Sequence, residues 1–458
     1  MKTGNKKIKK NCIWKKSLII LFWLVVWQIL AWCIGNKILL EGPIGVLTYL
    51  FTELKSLEYY RTVLASVVRI MGGLVCGVFF AVFWGGLTYK NKWLKEMLLP
   101  IIQFLKSAPI TCFVVLLLIW TGSEKLTFFI ALIVGFPPVY LNLSEGLTQL
   151  DEKKLELAKV YGMPFRNRFF YIYLPEIKSY FMSALTVSIG MAFKAGIAAE
   201  IIGTPDYSMG ERIYMSKIYL DTAGVLAWMI TVIFVAYFCE KVVIWLVGKC
   251  FDRKPKMKKY KADIGGFKQE SLELVKCTIG YDEKAVLQDI SVEFKPGKVY
   301  AITGESGIGK TTLLKVLCGI KKTNEGKVRG KEMVKACVFQ ENCLFEDYTA
   351  AENIYATGRC CKDFVVVEEA LKELLPVETL EKPVKEYSGG MKRRVEIARA
   401  ILSESPVILM DEPFTGLDDK TKDRTIEFII KNRENRTILL TTHCLKDITK
   451  VKAEEYKL

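Results

Sequence analysis

Histidine is almost absent from this chain of 458 residues, which has a single one, His443. The thirteen cysteines are scattered, and no two of them have the C-x-x-C spacing that is typical of zinc and redox sites. We therefore interpret the cysteines as small apolar residues and free thiols rather than as a disulfide framework or a metal site. Internal repeats and low-complexity tracts do not stand out either.

Acidic residues are outnumbered, with 49 Asp and Glu against 65 Lys and Arg, which gives a net charge of +16. An excess of this size can indicate a nucleic-acid partner. Much of it, however, lies in Lys2–Lys16 and Arg253–Lys261, beside apolar segments. Basic flanks at a membrane are the simpler interpretation, so we expect contact with a lipid bilayer and no nucleic acid.

The first 250 residues contain long apolar runs and no soluble domain large enough to capture a solute. Each run is long enough to cross about 30 Å of hydrocarbon. The predicted spans are residues 17–35, 63–88, 98–120, 125–143, 180–203 and 223–248. The first could belong to a signal peptide, but it is long, rich in aromatic residues and lacks a small-residue cleavage site. We therefore predict a retained transmembrane helix there.

Basic residues mark which connections between the spans face the cytoplasm. They follow the second, fourth and sixth spans, at Lys90, Lys92, Lys95, Lys153, Lys154, Lys159, Arg166, Arg168 and Arg253 to Lys259. The other three connections are short and carry few basic residues. The positive-inside rule then predicts a multi-pass protein of the cell membrane whose amino terminus and carboxyl-terminal half are both cytoplasmic.

A phosphate-binding loop is predicted in the carboxyl-terminal half. Gly304–Thr311 fits the pattern G-x-x-x-x-G-K-[ST], follows the apolar strand Val299–Ile302 and precedes the helical run Thr312–Cys318. This strand–loop–helix context is what the pattern requires. The loop amides would surround the phosphates of ATP, Lys310 would reach the β- and γ-phosphates, and the Thr311 hydroxyl would bind Mg²⁺.

A second apolar run, Val407–Met410, is bounded by Pro406 and Pro413 and ends in the carboxylates of Asp411 and Glu412. Such a run is typical of a strand that is buried on both faces in a parallel sheet. Open α/β sheets bind their ligands at the carboxyl ends of these strands. Acidic side chains at this position can hold Mg²⁺ and orient a water molecule, although a plain turn at the end of a strand remains the alternative.

Ser388-Gly389-Gly390 precedes the basic helical run Lys392–Ile401. Bare glycine amides and the positive end of a helix together favour binding of phosphate. With the phosphate-binding loop and the acidic strand end, this segment resembles the signature and Walker B motifs of the ABC-type ATPases. The match departs from the family at Tyr387, where leucine is usual, and at Met391, where glutamine is common.

The resemblance covers residues 270 to 445 and implies roles for single residues. Glu412 is implied as the catalytic base, with Gln340 as the Q-loop residue and His443 as the switch histidine. Mg²⁺ would be held by Thr311, Gln340 and Asp411. Tyr281 matches the aromatic residue that stacks on adenine, although an ordinary core or turn tyrosine is the alternative. The implied nucleotide-binding residues are Tyr281, Gly304, Glu305, Ser306, Gly307, Ile308, Gly309, Lys310, Thr311, Thr312, Ser388, Gly389 and Gly390.

The connection between the fourth and fifth spans, residues 143–179, carries a second resemblance. Glu156-Leu157-Ala158, Gly162 and Ile172-x-Leu174-Pro175 resemble the permease coupling motif E-A-A-x3-G-x9-I-x-L-P, with Leu157 in place of one alanine. An amphipathic surface helix is the alternative. The resemblance implies that Glu156, Ala158 and Gly162 belong to a coupling loop that contacts the ATPase beside the Q-loop.

The segment from Pro100 to Pro109 and the triplet Ala198-Ala199-Glu200 resemble the nitrate, taurine and sulfonate group of permeases. That group implies a small organic or inorganic anion as the substrate; vitamin precursors are the alternative. It also implies an extracytoplasmic substrate-binding protein as a partner. Lys106, Lys194 and Glu200 are ionisable residues within apolar runs. Such residues mark transport pathways; the alternative is that they lie near the ends of the spans and place their charges at the membrane interface.

The sequence thus predicts an α-helical transmembrane domain, similar to type I importers, followed by an α/β P-loop ATPase domain. The predicted parts are a basic tail (1–16), a permease domain (17–250), a linker (251–268) and the ATPase domain (269–458). We expect no regulatory extension after the ATPase. One permease and one ATPase in a chain imply a homodimer, or a pair with a paralogous chain. An ABC exporter and a membrane-tethered regulatory ATPase are the alternatives for function.

Overall fold

The computed structural model describes residues 2–253, 255, 270–281, 284–330 and 332–458. Most of the predicted linker, 251–268, lies outside these ranges. The chain divides into a helical unit, residues 1–149 and 177–253, and a second unit, residues 150–176 and 254–458. The segment 150–176, from the predicted coupling loop, therefore belongs to the same unit as the ATPase residues.

The amino-terminal half of the chain is helical. Its helices are α1 (Lys2–Ile34), α2 (Pro43–Glu53), α3 (Leu57–Lys90), α4 (Lys92–Ser107), α5 (Ile110–Thr121), α6 (Ser123–Thr148), α7 (Glu152–Val160), α8 (Phe165–Arg168), α9 (Leu174–Gly203), α10 (Met209–Ile218) and α11 (Thr222–Phe251). A π-helical turn, Phe169–Tyr173, joins α8 to α9.

Helices α3 and α6 pack closely because glycines of α3 let the two backbones approach. A Cβ atom on Gly73 would lie 2.0 Å from the carbonyl oxygen of Phe128, and one on Gly77 would lie 2.8 Å from that of Leu132. Small residues have this use in membrane helices, where association depends on close packing rather than on the hydrophobic effect.

Five helical segments in the described part of the chain are long and apolar enough to cross a membrane: Ser17–Ile34, Leu57–Lys90, Ser123–Thr148, Phe165–Gly203 and Thr222–Phe251. The span predicted over 98–120 is interrupted in the structure. Helices α4 and α5 are bent by 100° relative to each other, and the bent pair makes a sixth span only if it is counted as one. Pro109 explains the break, because proline lacks an N–H and keeps the preceding Ala108 extended.

The strands of the second unit are β1 (Leu272–Tyr281), β2 (Lys284–Phe294), β3 (Val299–Thr303), β4 (Glu325–Arg329), β5 (Lys335–Val338), β6 (Val407–Met410), β7 (Thr437–Thr441) and β8 (Glu454–Lys457). They form a parallel sheet in the order β5-β6-β7-β3-β8 and an antiparallel sheet in the order β2-β1-β4. The helices that follow β3 are α12 (Lys310–Leu317), α13 (Ala350–Ala356), α14 (Phe364–Leu374), α15 (Gly389–Ile401), α16 (Asp419–Asn432) and α17 (Leu445–Val451).

The strands predicted over Val299–Ile302 and Val407–Met410 are confirmed as β3 and β6. Strands β6 and β7 are buried along their whole length, which is why both are continuous apolar or β-branched runs. Parallel strands end at the same edge of a sheet. The carboxyl ends of β3, β6 and β7 therefore bring together the phosphate-binding loop, the Asp411-Glu412 pair and the segment that contains His443.

Candidate nucleotide site

The loop between β3 and α12 includes a backbone conformation with positive φ that favours glycine. Gly309 precedes α12 with a φ of 113°, and a Cβ atom there would lie 2.9 Å from Val286 Cγ1. Only glycine fits such a position without strain. The Lys310 Nζ donates hydrogen bonds to the carbonyl oxygens of Gly304 and Glu305, both at 2.8 Å. The lysine ammonium is thus held within the curve of the loop.

The end of β6 is held by a chain of hydrogen bonds to β7. The Thr441 hydroxyl donates to Asp411 Oδ1 at 2.7 Å and accepts from the Glu412 backbone N–H at 2.8 Å. Glu412 has a φ of 45°, which is uncommon for a residue with a side chain and often marks a functional site. Its Oε1 lies 3.3 Å from His443 Nε2, and its Oε2 accepts from the Thr415 hydroxyl at 3.3 Å.

The predicted catalytic and metal-binding residues line two cavities. Thr311, Gln340 and Asp411 line the first, together with Glu156. Glu412 and His443 line the second. A hydroxyl, an amide oxygen and a carboxylate are the hard oxygen donors that Mg²⁺ prefers, so the first set fits this metal. Gln340 is thus placed with the candidate metal ligands, and Glu412 is placed with His443.

The signature residues lie at the start of α15. Ser388 precedes this helix, and its hydroxyl oxygen accepts from the Met391 backbone N–H at 3.4 Å. Ser388 and Gly389 are exposed, and neither is among the described residues that line the two cavities. Tyr387, at the unusual position, is buried and donates its hydroxyl to the Thr379 carbonyl oxygen at 2.5 Å. Tyr281 ends β1, and its side chain lies outside the described part of the chain.

Arg393 is a site residue that the sequence pattern did not single out. It is buried on α15, and its Nη2 donates to the carbonyl oxygens of Asp411 at 2.9 Å and Glu412 at 2.8 Å. Its Nη1 donates to the carbonyl oxygen of Phe339, the residue before Gln340. One guanidinium therefore joins the signature helix to the acidic strand end and to the Q-loop. The only signal in the sequence was the basic run after Ser388-Gly389-Gly390.

The segment 150–176 contacts the ATPase residues within the second unit. Helix α7 ends at Val160, and Gly162 follows with a φ of 57°, which confirms the predicted break. A Cβ atom on Gly162 would lie 2.9 Å from Arg359 Nη2. Ala158 is buried in the core of this unit, and Glu156 lines the same cavity as Gln340. All three predicted coupling residues are therefore in or beside the ATPase core.

Comparison with known proteins identifies the two halves separately. Residues 287–415 match the family model described as ABC transporter, and residues 73–254 match the binding-protein-dependent transport system inner membrane component. The chain is 35% identical over 181 residues to the taurine import ATP-binding protein TauB of Roseobacter denitrificans, which is 36% of this chain and 67% of that protein. This chain belongs to the ABC transporter family. It is a membrane protein that carries an importer-type permease domain and an ATP-binding ABC ATPase domain in one polypeptide.

Two further relatives of this ABC transporter chain are ATP-binding proteins. The aliphatic sulfonates import protein SsuB of Bacillus licheniformis is 34% identical over 177 residues, which cover 36% of this chain and 69% of that protein. The bicarbonate transport protein CmpD of Synechococcus elongatus is 35% identical over 174 residues, which cover 34% of this chain and 63% of that protein. The chain thus spans about two thirds of the length of these relatives.

Proposed function

We propose that this chain is half of an ATP-driven importer for a small organic or inorganic anion. The observation that carries the proposal is the presence of an importer-type permease match and an ABC ATPase match in one chain. The names of the three relatives refer to taurine, sulfonates and bicarbonate, all of which carry an acidic group. A small anion is therefore the substrate class favoured over a vitamin precursor.

In the proposed reaction, Glu412 accepts a proton from the water that attacks the γ-phosphate of ATP. His443, 3.3 Å from the Glu412 carboxylate, orients that carboxylate and the water. Lys310 leaves the loop carbonyls and binds the phosphates. Thr311, Gln340 and Asp411 would hold Mg²⁺, which supplies charge neutralisation on the phosphates when it is bound.

Ser388, Gly389 and Gly390 are exposed or half-buried at the start of α15, so they are available to a second chain. We propose that they bind the nucleotide held by the phosphate-binding loop of a partner copy. Bare amides at a helix start add hydrogen-bond donors where the γ-phosphate charge is concentrated. Closure of the dimer on ATP would move the segment 150–176 and alternate the access of the permease spans.

The proposed importer is oriented with both termini in the cytoplasm, because the basic connections follow the second, fourth and sixth predicted spans. The first 250 residues include no soluble domain of a size that captures a solute, so we propose an extracytoplasmic binding protein as a further partner.

Transport in liposomes tests this proposal. The full chain is reconstituted with its binding protein outside and ATP inside, and uptake of radiolabelled taurine, an alkyl sulfonate and bicarbonate is measured. Accumulation of at least one anion that depends on both ATP and the binding protein is expected. ATP-driven efflux would instead support an exporter, and ATP hydrolysis without movement of any solute would support a regulatory ATPase.

A further inference from the structure

Tyr161, directly after α7, completes the edge of the parallel sheet in the second unit. The residue is fully buried, and its hydroxyl donates to the Cys337 carbonyl oxygen at 3.2 Å and accepts from the Cys337 N–H at 3.3 Å. Cys337 lies in β5, the outermost strand of the sheet. Buried backbone groups at a sheet edge need partners, and one phenol supplies both. Burial raises the pKa of Tyr161, so the hydroxyl keeps its proton.

The Tyr161 ring also faces a buried guanidinium. Arg399 of α15 is fully buried, and its Cζ lies 5.8 Å from the centre of the Tyr161 ring. Its Nη1 donates to the Cys343 carbonyl oxygen at 2.7 Å, whereas its Nε and Nη2 have no hydrogen-bond partner among the described residues. A cation with so few hydrogen bonds depends strongly on nearby π-electrons and negative charge.

Negative charge comes from Glu396, one turn earlier on α15 and also fully buried. Its Oε1 lies 3.9 Å from Arg399 Nη2 and accepts from the Cys343 backbone N–H, and its Oε2 lies 3.2 Å from Arg393 Nη1. Arg393 in turn binds the carbonyl oxygens of Asp411 and Glu412. Tyr161, Arg399, Glu396 and Arg393 thus form a continuous buried chain that ends on the backbone of Asp411 and Glu412.

We propose that Tyr161 is a positioning residue for ATP hydrolysis, which acts through Arg399, Glu396 and Arg393 on the placement of Glu412. The rate of hydrolysis then depends on how the segment 150–176 is seated against β5. Three buried charged side chains in one helix are costly to desolvate, and such ion pairs are weak evidence for a role in stability alone. The inference rests on the proposed function, because it takes Glu412 as the catalytic base.

Tyr161→Phe in the full chain tests the inference, because it removes the hydroxyl that anchors Tyr161 to Cys337 of β5 and so holds its ring beside Arg399. We expect kcat for ATP hydrolysis to fall about tenfold, which corresponds to an activation free energy raised by about 1.4 kcal/mol when Glu412 is misplaced. KM for ATP should stay within about twofold of the wild-type value, because the substitution leaves the phosphate-binding loop and Lys310 unaltered. The matched control is Tyr355→Phe, which removes the hydroxyl of another buried tyrosine in the same unit, where it donates to the Lys362 carbonyl oxygen at 3.0 Å. That control should keep the wild-type kcat.

A role in packing alone would lower the melting temperature of Tyr161→Phe and leave kcat per folded molecule at the wild-type value, and this result would overturn the inference. If Tyr161→Phe does not fold, Glu396→Gln tests the same chain and should lower kcat at unchanged KM. Where both fold, their combination should lower kcat by less than the product of the single effects. A combined loss of kcat equal to the product of the two single losses would show that the residues act independently and would overturn the inference. A wild-type rate for Glu412→Gln would instead overturn the proposed base, whatever Tyr161→Phe shows.

Discussion

Glu412 holds its carboxylate on a backbone that few non-glycine residues adopt, with a φ of 45°. The Thr441 hydroxyl fixes this conformation by accepting from the Glu412 N–H, and it orients Asp411 at the same time. The two acids therefore diverge, so that Asp411 faces the cavity lined by Thr311 and Glu412 faces His443. At the scale of single residues, this divergence separates candidate metal binding from candidate proton transfer.

Replacing Glu412 by glutamine should stop hydrolysis and leave ATP binding in place, because the amide keeps the shape of the side chain and cannot accept the proton. Loss of one acid–base group lowers a rate by roughly 10²- to 10⁴-fold. The ATPase rate and nucleotide affinity of the purified full chain are compared with those of Glu427→Gln, a control at an exposed acid of α16. A wild-type hydrolysis rate for Glu412→Gln would rule out this residue as the base.

The acidic pair could be predicted from the sequence because it ends an apolar strand, and the phosphate-binding loop because its pattern is local. Thr441 and Arg393 could not, because their contacts join segments that are far apart in the chain. Arg393, for example, reaches Phe339 across 54 positions. Ordinary side chains acquire such roles only when the fold brings them to the site.

At the scale of helices and strands, two interruptions show what a sequence pattern can and cannot indicate. The break at Gly162 was predictable, because glycine ends helices by adopting positive φ, and its φ is 57°. The bend of 100° between α4 and α5 was not predicted, because a hydropathy run measures length and composition only. Pro109 was the sequence signal for the bend, but the apolar residues on both sides of it favoured the prediction of one uninterrupted span.

Gly162→Val should lower transport, because a β-branched residue is strained at positive φ and its Cβ would meet Arg359. Strain of this kind costs about 1–3 kcal/mol. Gly162→Asn is the matched control, because asparagine tolerates the left-handed conformation better than other residues with a side chain. Uptake is measured in membrane vesicles at equal protein levels. We expect a clear loss for valine and a much smaller one for asparagine, and equal uptake for valine and wild type would contradict the coupling interpretation.

At the scale of the whole molecule, the order of permease and ATPase was predictable from motifs that are each local. The membership of the segment 150–176 in the ATPase unit depends instead on contacts such as that of Tyr161 with Cys337, 176 positions apart. The proposed dimer follows from counting, because each chain carries one phosphate-binding loop, Gly304–Thr311, and one signature segment, Ser388–Gly390. If each site combines halves from two chains, two chains make two complete sites.

Mixing two inactive chains tests this architecture most directly. Lys310→Ala removes the phosphate-binding lysine, and Ser388→Arg blocks the signature segment, so dimers of either variant alone should not hydrolyse ATP. A mixed dimer joins the intact loop of one chain to the intact signature segment of the other and regains one site of two. Co-expression at equal levels should restore about one quarter of the wild-type ATPase rate if each site turns over alone, because about half of randomly formed dimers are mixed and each mixed dimer has one intact site of two. Full activity of either variant alone, or a monomeric mass for the ATP-hydrolysing wild type, would contradict the account.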